Sequence, residues 1–212
     1  MRPTNPECKA RILASVVPLF AEKGYDHVTM REIAAKAGIT PGSLYYHYSG
    51  KQELYLAAVK EAFSDRAQNV VESLSIDAPA DERLRMLVHR FCEQLSRDRV
   101  FTRLIHREII DGDDSRLALV VDTVFRDVFN EVVLLCRELA PSFDPFLLTI
   151  SIISLTVYHY QIAGMRKFLP GSKPSHDSPD VVASHIDRLL KEGIGCRQNA
   201  FYNETLQGEL SL

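Results

Sequence analysis

Apolar residues recur along most of this chain at helical spacing, and the breaks between these runs predict an all-α fold. Ile12, Val16, Leu19 and Phe20 define the buried face of a first helix. Pro18 lies inside it, and an interior proline removes a hydrogen bond and crowds the preceding turn at a cost of about 3 kcal/mol, so a kink near Ala14 is expected. Met30, Ile33, Ala34 and Ala37 share one face of a short second helix. Thr29 is placed to cap it, and Glu32 three residues on would complete a capping box. Gly38 supplies the left-handed residue that ends it. Thr40 then caps a third helix, with Pro41 at its first position and Leu44 as its apolar anchor.

The rest of the chain continues the pattern, with no period-2 alternation and no internal repeat. A long helix is expected from Glu53 to about Leu74, ending before Asp77-Ala78-Pro79. Leu84, Leu87, Val88, Phe91, Cys92 and Leu95 mark the next stripe. Phe101, Leu104, Ile105 and Ile109 mark a shorter helix stopped by Asp111-Gly112-Asp113-Asp114. Apolar positions from Leu117 to Leu139 give one clean amphipathic helix closed by Pro141. Phe146 to Met165 is apolar on nearly every side, which predicts a helix buried against its own body on one side and a partner on the other. Its length would suit a membrane span, but the polar Thr149, Ser151, Ser154, Thr156, His159 and Gln161 argue against insertion. A loop rich in Pro, Ser and Gly covers 170–179, and Val181 to Leu190 is a last helix ended by Gly193 and Gly195. Residues 196–212 read as a frayed tail.

The candidate chemistry sits in the third helix. Three tyrosines and a histidine fill Tyr45 to Tyr48, and the exposed remainder is small or hydrogen-bonding. Two short helices joined by a tight glycine turn, the second carrying such groups, describe a helix-turn-helix that reads a DNA groove. Tyr46, His47 and Lys51 are expected on phosphates. Thr40, Gly42, Ser43 and Tyr45 are expected nearest the base edges, and Thr29 and Pro41 complete the candidate DNA-binding set. The competing reading is an ordinary helical hairpin that binds nothing.

At this point the sequence resembles the TetR family of bacterial transcription regulators. Ile12-Leu13, Leu19 to Tyr25, Thr29, Ile33-Ala34, Ala37-Gly38-Ile39, Leu44 to Tyr48, Lys51 and Leu54 follow that family's order and spacing. The resemblance covers roughly residues 8 to 56. It implies a three-helix head over 1–51 joined to a larger helical effector-binding and dimerisation body over 52–195. It also implies a homodimer on a palindromic stretch of double-stranded DNA, with residues 146–168 and 179–191 packing on a second subunit. The expected function is a ligand-responsive repressor released by a small molecule. An activator or a regulator controlled by a partner protein is the alternative.

The resemblance further implies an effector cavity in the body, whose lining the sequence suggests only in part. Phe101, Phe125, Phe129 and Tyr158 are candidate walls, and Glu108 and His159 candidate polar anchors for an apolar or aromatic molecule. A buried carboxylate needs a partner. Glu108 is therefore expected either to meet a ligand or to pair internally with Arg103, Arg107, His106 or His159. His159 is expected to be either a satisfied core histidine or a pocket group.

Charge and cysteines sharpen this picture. The net charge is −3, yet residues 1–51 hold seven Lys/Arg against four Asp/Glu and the remainder eighteen against twenty-four. A basic head on an acidic body suits phosphate contact. The four cysteines are far apart in sequence and give no zinc spacing or disulfide framework. No cofactor, metal or membrane partner is expected, and a cytoplasmic location is. No nucleophile motif or phosphate loop is present, so catalysis is not expected. A dimerisation module with a vestigial head is the third class, against which the intact Thr40 to Lys51 segment argues.

Overall fold

The computed structural model describes residues 5–195, and every regular element in that span is helical. The expected tail, 196–212, lies outside the described residues. Helix α1 spans Asn5–Lys23 and runs through Pro18 without a break. Pro18 is exposed, so the ring points away from the packed face formed by Ile12, Val16 and Phe20. Helices α2 (Met30–Lys36) and α3 (Pro41–His47) follow. Thr29 Oγ1 accepts from the Glu32 amide at 3.2 Å, and Thr40 Oγ1 accepts from the Ser43 amide at 3.1 Å. The expected capping box at α2 is half formed, because the Glu32 carboxylate turns to an ion pair with Lys23. Gly38 adopts φ +66° and ends α2 as a residue without a Cβ does most easily.

Helix α4 (Lys51–Leu74) is started by Glu53, whose carboxylate accepts from both the amide and the hydroxyl of Ser49 at 2.7 Å. The body continues as α5 (Ala80–Arg97) and α6 (Arg99–Asp111). Asp98 caps α6 by accepting from the Phe101 amide at 2.9 Å. The acidic run 111–114 ends α6 and also starts the next helix, since Asp113 accepts from the Arg116 amide at 3.0 Å. Gly112 is required at that corner. A Cβ there would lie 2.5 Å from the Glu108 carbonyl oxygen and 2.9 Å from the Leu117 side chain.

The single clean helix expected from Leu117 to Leu139 is divided. Helix α7 (Asp114–Val120) passes through a wider turn at Val121–Phe125 into α8 (Arg126–Leu139). In that turn the Arg126 amide donates to the Val121 carbonyl, five residues back. Periodicity cannot reveal one extra residue in one turn when apolar side chains flank it on both sides. Helix α9 (Pro145–Gln161), capped by Asp144, leads into the short α10 (Ala163–Arg166), and α11 is Pro179–Gly195.

Two apolar clusters organise these helices. The first joins the head to the near end of the body: Ile12, Phe20, Ile33, Leu44, Leu54, Tyr55 and Val59 pack with Leu95, Phe101, Leu104, Val120 and Val157. The second holds the far end, with Leu84, Leu87, Val88, Leu135, Cys136, Ile152 and Ile186. The boundary expected near residue 51 is therefore crossed by a continuous core. Helix α6 packs along α1, and Arg107 Nη2 donates to the Glu22 carbonyl at 3.2 Å. Among the described residues no helix is long and apolar enough to cross a membrane.

Candidate nucleic-acid interface and effector cavity

Leu44 is fully buried, and Tyr48 is buried beside it, so α3 is held to the head by these two side chains. The other face is offered outward. Tyr46 is 80% exposed and Tyr45 54% exposed, which excludes both from the core. Thr29, Thr40, Pro41 and Gly42 are exposed, and Ser43 is half-buried. A Cβ on Gly42 would meet nothing closer than Thr40 Oγ1 at 4.0 Å. Packing within the chain does not require glycine there. The half-buried His47 carries a buried Nδ1 that has no hydrogen-bond partner. Buried polar atoms are nearly always paired, so this nitrogen is an exception within the head.

Lys51 is less free than the sequence suggests. Its ammonium donates to the Tyr25 carbonyl at 3.0 Å and the Asp26 carbonyl at 3.5 Å, and lies 4.3 Å from the Tyr25 ring centre. It therefore fastens the start of α4 to the loop after α1. An ammonium has three donors, so a phosphate contact remains compatible with this arrangement.

The body carries a cavity of about 1050 Å³ that is partly open to solvent. Phe63, Phe101 and Phe125 form one aromatic wall, with Phe63 4.5 Å from Phe101 and 4.6 Å from Phe125 between ring centres. Phe91, Leu104, Val128, Phe129, Phe146, Ile153 and Val157 extend the apolar lining. The wide turn contributes Val121, Val124 and Phe125. Exposed Arg90, Arg97 and Arg126 lie where the lining meets solvent, and Arg97 and Arg126 pair with Glu93 and Asp122.

Four of the expected wall residues, Phe101, Phe125, Phe129 and Tyr158, do line the cavity, although Tyr158 is 60% exposed. Glu108 lines it as well. Its internal partners are not those expected. The Tyr55 hydroxyl donates to one carboxylate oxygen, and Arg116 Nε donates to the other at 3.2 Å. Arg116 is itself buried and rests 4.5 Å from the Tyr25 ring centre. Burial, followed by the bond to Glu108, pushes the Tyr55 phenol well above its ordinary range and keeps it a donor. His159 is placed apart from these residues. Its ring does not line the cavity but stands half-buried, 6.3 Å from His185 on α11. An α9 position one residue past Tyr158 turns about 100° away, which carries it off the cavity face.

The sequence reading missed Arg116, Tyr55, Phe63 and the arginines at the opening. Phe63 had a legible signal, since it stands four residues after Val59 on one face of α4. The pairing of Glu108 with Arg116 had none, because it depends on how α6 and α7 fold about Gly112. Among the described residues no group of acidic, histidine and cysteine side chains is arranged to hold a metal.

The chain thus places a helix-turn-helix head on a helical body that carries an apolar cavity. Residues 12–58 match the family described as bacterial regulatory proteins, tetR family. It is 32% identical over 99 residues to the HTH-type transcriptional activator FasR of Mycolicibacterium smegmatis, covering 47% of this chain and 45% of that one. It is 41% identical over 56 residues to the negative regulator IcaR of Staphylococcus epidermidis, covering 26% and 30%. The matches thus span less than half of either relative. The whole fold resembles FadR from Bacillus subtilis in complex with stearoyl-CoA, with a TM-score of 0.73, 18% identity and coverage of 87% and 98%. It also resembles AibR in complex with isovaleryl coenzyme A and operator DNA, with a TM-score of 0.68, 19% identity and coverage of 86% and 97%.

Proposed function

We propose that the protein is a cytoplasmic, homodimeric transcriptional repressor that leaves a palindromic operator when an apolar small molecule fills the body. Residues 1–51 bind DNA, and residues 52–195 hold the effector and the partner subunit. The protein is not an enzyme. The observation that carries this reading is the cavity of about 1050 Å³ in the body of a chain whose recognition helix offers Tyr45 and Tyr46 outward. Cavities of this size with few polar groups suit drug-sized or larger apolar ligands.

An elongated amphiphile fits the lining best. Its apolar part meets the phenylalanine walls, and an anionic head meets Arg90, Arg97 and Arg126 at the opening. The thioesters held by FadR and AibR are of this kind, which supports acyl coenzyme A as the class to test first. Exposed apolar residues on α9 and α11, among them Leu147, Tyr158, Val181 and Leu189, support the dimer. A lone short recognition helix reads too few base pairs for selectivity, and two read a palindrome.

The test is operator selection from genomic fragments by the wild-type protein, followed by anisotropy of the selected duplex with and without palmitoyl-coenzyme A. Release of DNA on adding the thioester is expected. Tighter binding on adding it would turn the reading to an activator. Selection of no DNA at all would overturn the regulator.

A further inference from the structure

Glu108 belongs to two structures at once. It lines the cavity, and its carboxylate holds Arg116 at 3.2 Å. The Arg116 guanidinium in turn lies 4.5 Å from the ring of Tyr25, and Tyr55 packs 5.1 Å from that same ring while donating to Glu108. Tyr25 stands in the loop between α1 and α2, and its carbonyl and ring also take the Lys51 ammonium. A contact chain thus runs from the cavity wall through two buried charges to the loop after α1 that Lys51 fastens to the start of α4.

The surroundings concentrate any disturbance on this chain. At Gly112 α6 and α7 meet so closely that a Cβ would collide with the Leu117 side chain of α7. The wide turn 121–125, which follows α7, is itself cavity wall. A wide turn is a place where a helix can change its winding by one residue. A molecule in the cavity therefore presses on both ends of the segment that carries Arg116.

The geometry points to Glu108, Arg116 and Tyr25 as the positioning residues that transmit cavity filling to the DNA-binding head. The inference rests on the reading of the cavity as an effector site. In the empty state the buried pair holds Tyr25 and Lys51, and the head keeps the posture that fits DNA. A ligand reaching Glu108 desolvates or competes for the carboxylate, Arg116 shifts with α7, and the loop at Tyr25 loses its brace. Only a ligand that binds one of these two arrangements more tightly changes DNA affinity.

Two measurements test this. In the first, the fold-change in duplex Kd caused by palmitoyl-coenzyme A is compared between wild type, Glu108→Gln, Tyr25→Leu and the control Ile186→Val, which lies in the far cluster. That ratio is a coupling factor, which a merely weakened head does not alter. The first two variants are expected to bring it to within about twofold of unity while the control keeps the wild-type value. The second measurement needs neither DNA nor ligand. Amide exchange over residues 24–30 is expected to rise about tenfold in Glu108→Gln and to stay unchanged in Ile186→Val. A wild type that ignores the thioester would count against the proposed effector and leave the exchange measurement to decide the relay. Unchanged exchange at 24–30 in Glu108→Gln, or an undiminished coupling factor, would overturn it.

Discussion

The ammonium of Lys51 donates to the backbone carbonyl of Tyr25 at 3.0 Å and sits 4.3 Å from the centre of its ring. A lysine expected at the DNA is thus also a clamp inside the head. Lys51→Ala should lower head stability by about 1 kcal/mol through the lost cation–ring and hydrogen-bond contacts. It should also weaken binding to all sequences alike and reduce the salt slope by about one. Anisotropy titrations across a salt series check both. A lowered melting temperature with an unchanged slope would leave Lys51 as a clamp only.

The cap at Thr40 holds the first turn of the recognition helix. Thr40→Ala removes the bond to the Ser43 amide and should cost about 1 kcal/mol of stability. Thr40→Ser retains an acceptor at the same place and should recover most of the loss. Thermal melts read the stability and gel shifts the accompanying fall in DNA affinity.

Assembly is best probed at the outward faces of α9 and α11. Ile153 lines the cavity and Leu155 packs on the far cluster, so a charge at either would disturb the subunit itself. Leu147 is 62% exposed and Leu189 46% exposed in the single chain. Leu147→Asp or Leu189→Asp should give a folded monomer in sedimentation at micromolar concentration, because a charge buried in the interface has no partner. A dimer that survives both changes would put the interface elsewhere.

The apolar walls make ligand affinity a function of chain length. Each methylene buried contributes about 0.8 kcal/mol, roughly fourfold in Kd. A series of saturated acyl coenzyme A thioesters should gain affinity by that factor until the cavity is full and then level off. Val128→Trp, which fills part of the wall, should move the plateau to shorter chains. A flat series would remove the acyl class.

His159 supplies a pH dependence. Burial holds its imidazole below the ordinary value, and the charges of Arg166 and His185 lower it further. The unfolded chain, with a pKa of about 6.5, therefore takes up the proton first. Its contribution to stability is complete above about pH 6.5 and is lost as pH falls from there through the folded value. Thermal melts from about pH 7.5 to about pH 5 should show a smaller decline in His159→Gln than in wild type. Equal declines would assign the slope to other groups.

The sequence alone determined the helices and the head. Caps at Thr29 and Thr40, the glycine at 38 and the apolar faces around Ile33 and Leu44 act over three or four residues, so local spacing specifies them. Phe101, Phe125 and Phe129 were legible as walls because a helix side that is apolar must face something apolar. Tertiary structure alone decided the rest. Glu108 found Tyr55 and Arg116 because α4, α6 and α7 converge, and His159 was turned from the cavity by one residue of helical phase. The wide turn at 121–125 and the core that joins head to body were equally hidden. Local spacing records which side of a helix is buried, whereas the partner it meets is set by contacts between residues far apart in the chain, and the linkage between cavity and head lies wholly in such contacts.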